Sequence, residues 1–552
     1  MSFLAAAYRG HGLKTRATKD GPRLDAFRRR LHSARMDSAP AGGSGNVAVR
    51  PDSPVSASAR AGGSGGFNRF LKIAAVVLLC LGAAARLRQY QARASYWADE
   101  AFVLLNLRQL SPLQLVGKLN WDQAAPPMFL WALKGEMRVA GEGEYAMRFL
   151  PLAGSLLGMG IFGVLARRVL PGPAALFAFG LFALSRKLVE YSAELKQYGC
   201  DATVAALLLL VALGRPDWPP LRRLALTAVF ASVAVWFSHP VSVMFGGVGL
   251  VLTFSCWKRS WREALLAIAC VAMFVTSFAA LFFVSIRRQH TNFLFDYWQT
   301  AFSDWRHPAG VPAWLGRQTF EFLQTPYRWA ATIFMPLLVG AALWALRRRE
   351  GERWAACAAP IAMAIFAALV RQYPFDGGRL TLFLMPSLFL LVGAGAAMLW
   401  EVLPLNLRVF WWALPLALFG SAIPSGVSRF VHPDFRSHIR PAVEYVKSHR
   451  QTGEALALTG TSPGDHPQMA FNGRHLEALC YWPDPPGPVY MTIAGPEAIR
   501  ERRFWVLTTF NPNNPRSLDS FLGQFRAMAA EKERYVNLHG GAAVLFERAE
   551  RP

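Results

Sequence analysis

Tyr96-Trp97-Ala98-Asp99-Glu100-Ala101-Phe102 stands just past the first long apolar run of the chain, residues 70–87. Two adjacent carboxylates so close to a hydrophobic segment are costly unless they have a function, because a bilayer offers charge no solvation. The run before them has the character of a membrane helix, which needs about 20 mostly apolar residues. The pair therefore sits at the mouth of a first span.

Further apolar segments fall near 148–166, 173–189, 199–214, 222–238, 241–257, 263–285, 328–346, 354–370, 380–400 and 409–425. With the first they make about eleven spans. The run Pro126-Pro127-Met128-Phe129-Leu130-Trp131-Ala132-Leu133 is not counted, because it is too short and Lys134, Glu136 and Arg138 follow at once. It is expected to lie as a helix in the outer interface, within one long first loop over 88–147.

Charge supports this count. With the N-terminus inside, Arg167-Arg168, Arg222-Arg223, Lys258-Arg259 and Arg347-Arg348-Arg349 all fall on the cytoplasmic side, as the positive-inside rule requires. Counting 126–140 as a span would put those clusters outside. Arg287-Arg288 is the exception. The same count puts 88–147, 286–327, 371–379 and the C-terminal part outside.

Composition agrees with a membrane protein. The chain has 552 residues, 53% hydrophobic and only 17% charged. Its mean hydropathy of +0.23 is modest because two polar ends dilute a very apolar middle. The net charge of +24 would suggest nucleic acid in a soluble protein. Here the Lys/Arg excess lies scattered between apolar spans and suits anionic lipid instead, so no nucleic-acid partner is expected. Six cysteines without a C-x-x-C support neither a zinc site nor a disulfide framework.

Three parts emerge. Residues 1–66 carry Ala41-Gly42-Gly43-Ser44-Gly45, Ala61-Gly62-Gly63-Ser64-Gly65-Gly66 and the basic Arg28-Arg29-Arg30, and are expected to be a disordered basic tail. With no apolar core before Phe67, they do not resemble a secretory signal. Residues 67–425 are the membrane part. Residues 426–552 are expected to form a small α/β domain, with a helix at Pro441–Val446 and strands at Ala455–Thr459, Phe504–Leu507 and Ala542–Phe546. Ser517 to Glu533 is expected to be a helix capped by Ser517.

The unusual polar residues gather in the outer loops. The first loop holds Asp99, Glu100, Asp122 and Gln123, and the loop between the third and fourth spans holds Glu194, Lys196 and Tyr198. His239 ends the fifth span, and Asp376-Gly377-Gly378-Arg379 leads into the tenth. All lie on one side in a topology chosen without reference to them. Asp99 and Glu100 fit a general base, since burying adjacent like charges raises one pKa. Lys196 and Arg379 fit an anionic phosphate, with Tyr198 lining the pocket. Each has a plain structural alternative: an interfacial cap or ion pair for Asp99 and Glu100, a solvated loop pair for Glu194 and Lys196, and a flanking anchor for Arg379. His239 is equally a helix-end residue, and Asp122 and Gln123 equally shape the loop.

No Gly-rich phosphate loop, H-E-x-x-H or G-x-S-x-G occurs, so nucleotide chemistry and a serine triad lack support. Without a D-x-D, a divalent cation stays open and is not predicted; no cofactor is expected.

Four segments together resemble the GT-C superfamily of polytopic glycosyltransferases. Trp97-Ala98-Asp99-Glu100 resembles its first-loop acidic motif. Ala125-Pro126-Pro127-Met128-Phe129, followed by Glu144-Tyr145-Ala146-Met147-Arg148-Phe149-Leu150-Pro151, resembles its Pro-Pro segment and the start of its second span. Tyr191-Ser192-Ala193-Glu194-Leu195-Lys196-Gln197-Tyr198 resembles its Glu-x-Arg-x-Tyr signature, with Lys in the Arg position. Gly378-Arg379-Leu380 through Pro386 resembles an Arg-Tyr-x-x-x-x-x-Pro segment, with Leu380 where Tyr is usual. The likeness is to a bacterial branch that includes protein O-mannosyltransferases, aminoarabinose transferases and lipopolysaccharide-core galacturonosyltransferases.

The resemblance implies a bacterial inner-membrane enzyme with its C-terminal domain in the periplasm. It implies a polyprenyl-phosphate sugar as donor and a glycan, lipid or protein hydroxyl as acceptor. Asp99 would take the acceptor's proton as its oxygen attacks the anomeric carbon with inversion, and Glu100 would orient the acceptor or support Asp99. Lys196 and Arg379 would stabilise the departing phosphate. The competing expectation is a transporter or flippase of lipid-linked sugars, which would show mid-span charges and broken helices in paired halves. A third is an assembly protein that binds through 426–552.

Overall fold

The computed structural model describes residues 55–431 except 328, and 438–549 except 461–473, 492–495, 511–513 and 515. The chain divides into two compact units, Met1–Gly65 and Gly66–Pro552, and the site described below belongs to the second. The backbone is helical from Val55, where the sequence reading has the disordered tail continue to 66. Ala57, Ala59 and Ala61 favour a helix there. Residues 1–54 of that tail lie outside the described residues.

Every segment expected to span is helical, but the helices differ in length. Six are long and apolar enough to cross a membrane: α1 (Asn68–Gln91), α4 (Glu144–Val169), α9 (Trp261–Gln289), α10 (Ala330–Arg348), α11 (Gly351–Leu369) and α12 (Arg379–Val402). A seventh results if α5 (Gly172–Leu184) and Arg186–Ala193, bent by 47° at Ser185, count as one span. The expected eleven is therefore not met by length and composition. Among the remainder, α6 (Tyr198–Leu213) and α8 (Val241–Trp257) are shorter apolar helices, as is Leu405–Gly420, and α7 (Pro220–Ala234) has 15 residues. At 1.5 Å per residue such helices reach about 22–26 Å, short of a hydrocarbon core of about 30 Å.

Two further helices serve the first loop. α2 (Ala98–Gln109) carries the acidic pair, and α3 (Pro127–Ala140) is the 14-residue segment left out of the span count. Lys134 of α3 reaches the carbonyls of Leu107 and Leu110 at 2.6 Å each, and so caps the C-terminal end of α2. The bundle packs closely where small residues allow it. Gly395 of α12 abuts α10 so tightly that a Cβ would collide with the Leu337 carbonyl oxygen. Close approach through glycine is a common means of joining membrane helices.

The C-terminal part is an α/β layer. Its strands are β1 (Ala455–Gly460), β2 (Val489–Met491), β3 (Arg503–Thr509), β4 (Ala530–Asn537) and β5 (Gly541–Glu547), in the order β2-β1-β3-β5-β4. β2, β1 and β3 run parallel, while β5 is antiparallel to both β3 and β4. α13 (Arg440–His449) packs Ile439, Ala442, Val443 and Val446 on one face of the sheet. A helix at Arg516–Arg526 packs Leu518, Leu522 and Phe525 on the other. The helix expected over 517–533 thus stops at Arg526, and Ala530–Asn537 is an edge strand. Its burial alternates residue by residue, the period of a strand with one face covered.

Candidate active site

The acidic pair opens α2, where the helix dipole favours negative charge. Successive helical residues point about 100° apart, and the two carboxylates face different partners. Glu100 is completely buried. Arg148 of α4 grips it with both arms, Nε to Oε1 at 2.8 Å and Nη2 to Oε2 at 2.6 Å. The Leu195 N–H donates to Oε1 at 2.6 Å. Glu100 therefore ties the first loop to α4 and to the Glu194–Lys196 turn, with both oxygens engaged.

Asp99 faces another way. Its Oδ2 lies 2.6 Å from Arg379 Nη1, at the 3-10 turn that opens α12. The Arg379 guanidinium is framed by the rings of Trp97 at 5.7 Å, Tyr198 at 6.0 Å and Trp298 at 5.4 Å. This aromatic surround favours a cation and holds the planar group in one orientation. Lys196 is buried and donates to Gln123 Oε1 at 2.9 Å. Burial lowers its pKa, and the negative field of Asp99 works against that shift. Glu194 and Arg379 also act on Lys196, so these charges form one group.

The loops are held in place by local bonds. Asn106 of α2 donates to the Asn120 carbonyl at 3.2 Å and accepts from the Asn120 N–H at 2.9 Å. Trp121 and Asp122 take left-handed backbone angles, φ 56° and 50°, which turn the chain toward Gln123. Trp121 also stacks on Phe102 at 6.4 Å. Gln289, which closes α9, accepts from the Ala125 N–H at 3.0 Å.

The structure thus brings together Asp99, Glu194, Lys196, Tyr198, Arg379 and Gln123. Glu100 lies beside them, bound to Arg148. Each of the two neighbouring carboxylates has its own arginine. Asp122 is a turn residue. His239 closes a turn whose carbonyl accepts from Ser242 Oγ at 2.8 Å, and burial lowers its pKa to about 4. None of the site charges figures in that shift. Among the described residues no group of three His, Cys, Asp or Glu could hold a metal ion.

Sequence reasoning did not single out the role of Arg148, although it lies in one of the quoted segments. Trp97 and Trp298 were equally silent, since nothing in a sequence says that three rings will surround one guanidinium. Also unforeseen is the junction with the C-terminal layer. Glu144 accepts from Arg93 at 3.2 Å, from Arg440 at 2.5 Å and from the Tyr481 hydroxyl at 3.1 Å. Tyr481 Oη in turn accepts from the Tyr96 N–H at 2.8 Å, and His438 Nδ1 meets Ser95 Oγ at 2.9 Å. The C-terminal layer is thereby bonded to the residues that lead into Asp99.

No protein-family model matches the chain, and no curated protein does. Several solved structures do. ArnT of Cupriavidus metallidurans bound to undecaprenyl phosphate is 15% identical over 87% of this chain and 98% of that one, with a TM-score of 0.44. The Archaeoglobus fulgidus oligosaccharyltransferase with zinc and sulfate is 12% identical over 84% and 72%, with a TM-score of 0.45. The same archaeal enzyme, AglB, with an inhibitory peptide and a dolichol-phosphate is 9% identical over 86% and 74%, also with a TM-score of 0.45. The chain is similar to them in the course of its backbone only, and the functional reading rests on its own residues.

Proposed function

We propose that this protein is a membrane glycosyltransferase that moves a sugar from a polyprenyl-phosphate-linked donor to an acceptor hydroxyl. The observation that carries the reading is the contact of Asp99 with Arg379 at 2.6 Å, in one buried group with Lys196. A carboxylate beside two fixed cations is what transfer from a phosphate ester calls for: one group to receive a proton and two to receive a leaving phosphate.

A carboxylate held by a guanidinium takes up a proton poorly. In this reading the donor phosphate competes for Arg379 and Lys196, which loosens the Asp99 contact and leaves the carboxylate available as a base. The acceptor oxygen then attacks the anomeric carbon from the face opposite the phosphate. The new bond joins that oxygen to the anomeric carbon. The bond that breaks joins the carbon to the phosphate oxygen, which leaves with its electron pair toward Arg379 and Lys196. The acceptor proton passes to Asp99, and the configuration inverts. Charge stabilisation of the leaving group in a low-dielectric site is the larger effect, with general-base help worth about 10²–10⁴-fold.

The reading places the reaction at the outer face of a bacterial inner membrane, with the N-terminus in the cytoplasm. The clusters Arg167-Arg168, Arg222-Arg223 and Lys258-Arg259 support that orientation, since they lie at the helix ends away from Asp99. Its test is an assay of membranes containing the protein with polyprenyl-phosphate sugars and candidate acceptors. Sugar transfer should appear with the wild type and vanish with Asp99→Asn. Movement of intact donor across the bilayer without transfer would instead favour a flippase.

A further inference from the structure

At the other end of the bundle lies a cavity of about 530 Å³. The C-terminal end of α6, the start of α7, the end of α8 and the start of α11 surround it. α6 separates it from the Asp99 group, since Tyr198 begins that helix beside Arg379 and Leu213 ends it at the cavity wall. Sixteen helical residues span about 24 Å, so the cavity does not belong to the catalytic group.

Its charges are only partly matched. Arg223 is 6% exposed and pairs with Glu352, yet its Nε has no hydrogen-bond partner among the described residues. Arg353 pairs with Glu350 at 2.8 Å and Arg259 lies 3.8 Å from Glu263. Among the described residues two lining groups have no ion-pair partner: Lys258, whose ammonium rests over the Phe254 ring at 4.4 Å, and Asp217. Trp218 completes the rim, with Arg222 at 3.9 Å and Arg215 at 5.8 Å from its ring. Nearby Trp257 and Trp261 are each 68% exposed. Tryptophans in this arrangement mark the headgroup level of a bilayer.

We propose that this cavity binds the headgroup of a phospholipid that carries both a phosphate and a primary ammonium. Lys258 takes the phosphate, Asp217 takes the ammonium, and Trp218 lies against the glycerol. The Lys258 ammonium has no ion-pair partner among the described residues, and a phosphate in the cavity supplies one. The spare acid distinguishes an aminophospholipid from a purely anionic one. This site stands apart from the proposed transfer reaction and does not depend on it.

The test is binding of the purified full chain to nanodiscs of phosphatidylcholine doped with phosphatidylethanolamine or with phosphatidylglycerol, read as retained lipid by native mass spectrometry. The expected result is selective retention of phosphatidylethanolamine. Lys258→Gln should lower retention about fivefold, in line with the effect of one basic residue at a membrane surface. Asp217→Asn should erase the preference over phosphatidylglycerol. Both side chains are exposed, so folding is not at stake. Equal retention of the two lipids by the wild type, or indifference to both substitutions, would overturn the proposal. Equally tight binding of soluble glycerophosphoethanolamine would assign the cavity to a free phosphate compound and overturn the lipid.

Discussion

The Asp99 carboxylate and the Arg379 guanidinium meet at 2.6 Å, although their helices stand near opposite ends of the apolar part of the sequence. In the proposed reaction this contact joins the base to a cation that receives the leaving phosphate. Asp99→Asn keeps the size and polarity of the side chain but cannot accept the proton. Transfer should fall by about 10²–10⁴-fold with expression unchanged, and Asp99→Ala should fall as far. Sugar transfer in membranes, normalised to protein amount, checks this; activity surviving both changes removes Asp99 from the base role.

Glu100 should behave differently. It is the buried partner of Arg148, and removing one member of a buried pair costs about 3–5 kcal/mol because the other charge is left unmatched. Glu100→Ala and Arg148→Ala should therefore each lower the melting temperature in detergent markedly. The double variant should cost less than the sum of the two. An additive result would show that the pair does not act as one unit.

That contrast shows how far the sequence could be read. Adjacent acids after an apolar run, a Lys in the Glu194–Tyr198 turn and an Arg at the start of α12 are local patterns, and they pointed to the same group. What distinguishes Asp99 from Glu100 is which arginine each one meets, and neither Arg148 nor Arg379 is near the pair in sequence. The strand at Ala530–Asn537 was hidden for a related reason. Its exposed positions are charged enough to pass for a solvated helix face, and only pairing with β5 makes it a strand. Helix lengths were blurred because apolarity continues into turns such as 235–238, where the helix has already ended.

Lys196 must be protonated to hold a phosphate, and burial lowers its pKa. Donor affinity should therefore weaken as pH rises, and should do so below the pH at which an ordinary lysine loses its proton. Lys196→Arg, which stays charged throughout, should move that loss of affinity to higher pH or abolish it. Measuring the KM for donor from pH 7 to 10 in both proteins tests this. Parallel profiles would mean that Lys196 does not contact the donor.

The Glu144 junction should couple the C-terminal layer to the first loop. Glu144→Gln removes the charge that receives both Arg93 and Arg440 while keeping the shape. The expected outcome is faster proteolytic release of the C-terminal part, together with reduced transfer, because Ser95 and Tyr96 lose their supports next to Asp99. Faster cleavage with full activity would separate the layer from catalysis.

His239 gives a stability signature that does not depend on activity. In the folded protein its pKa is lowered to about 4, because burial penalises the charged ring. Unfolded, it takes up a proton near pH 6.5. Between those values the unfolded chain binds more protons than the folded one, so this residue's contribution is present above about pH 6.5 and is lost as pH falls toward 4. The wild-type melting temperature in detergent should therefore drop across that window. His239→Gln, which cannot titrate, should drop less, even if it melts lower at neutral pH because the ring's packing is lost. A variant whose melting temperature follows pH as steeply as the wild type would show that acid sensitivity in this window arises elsewhere in the chain.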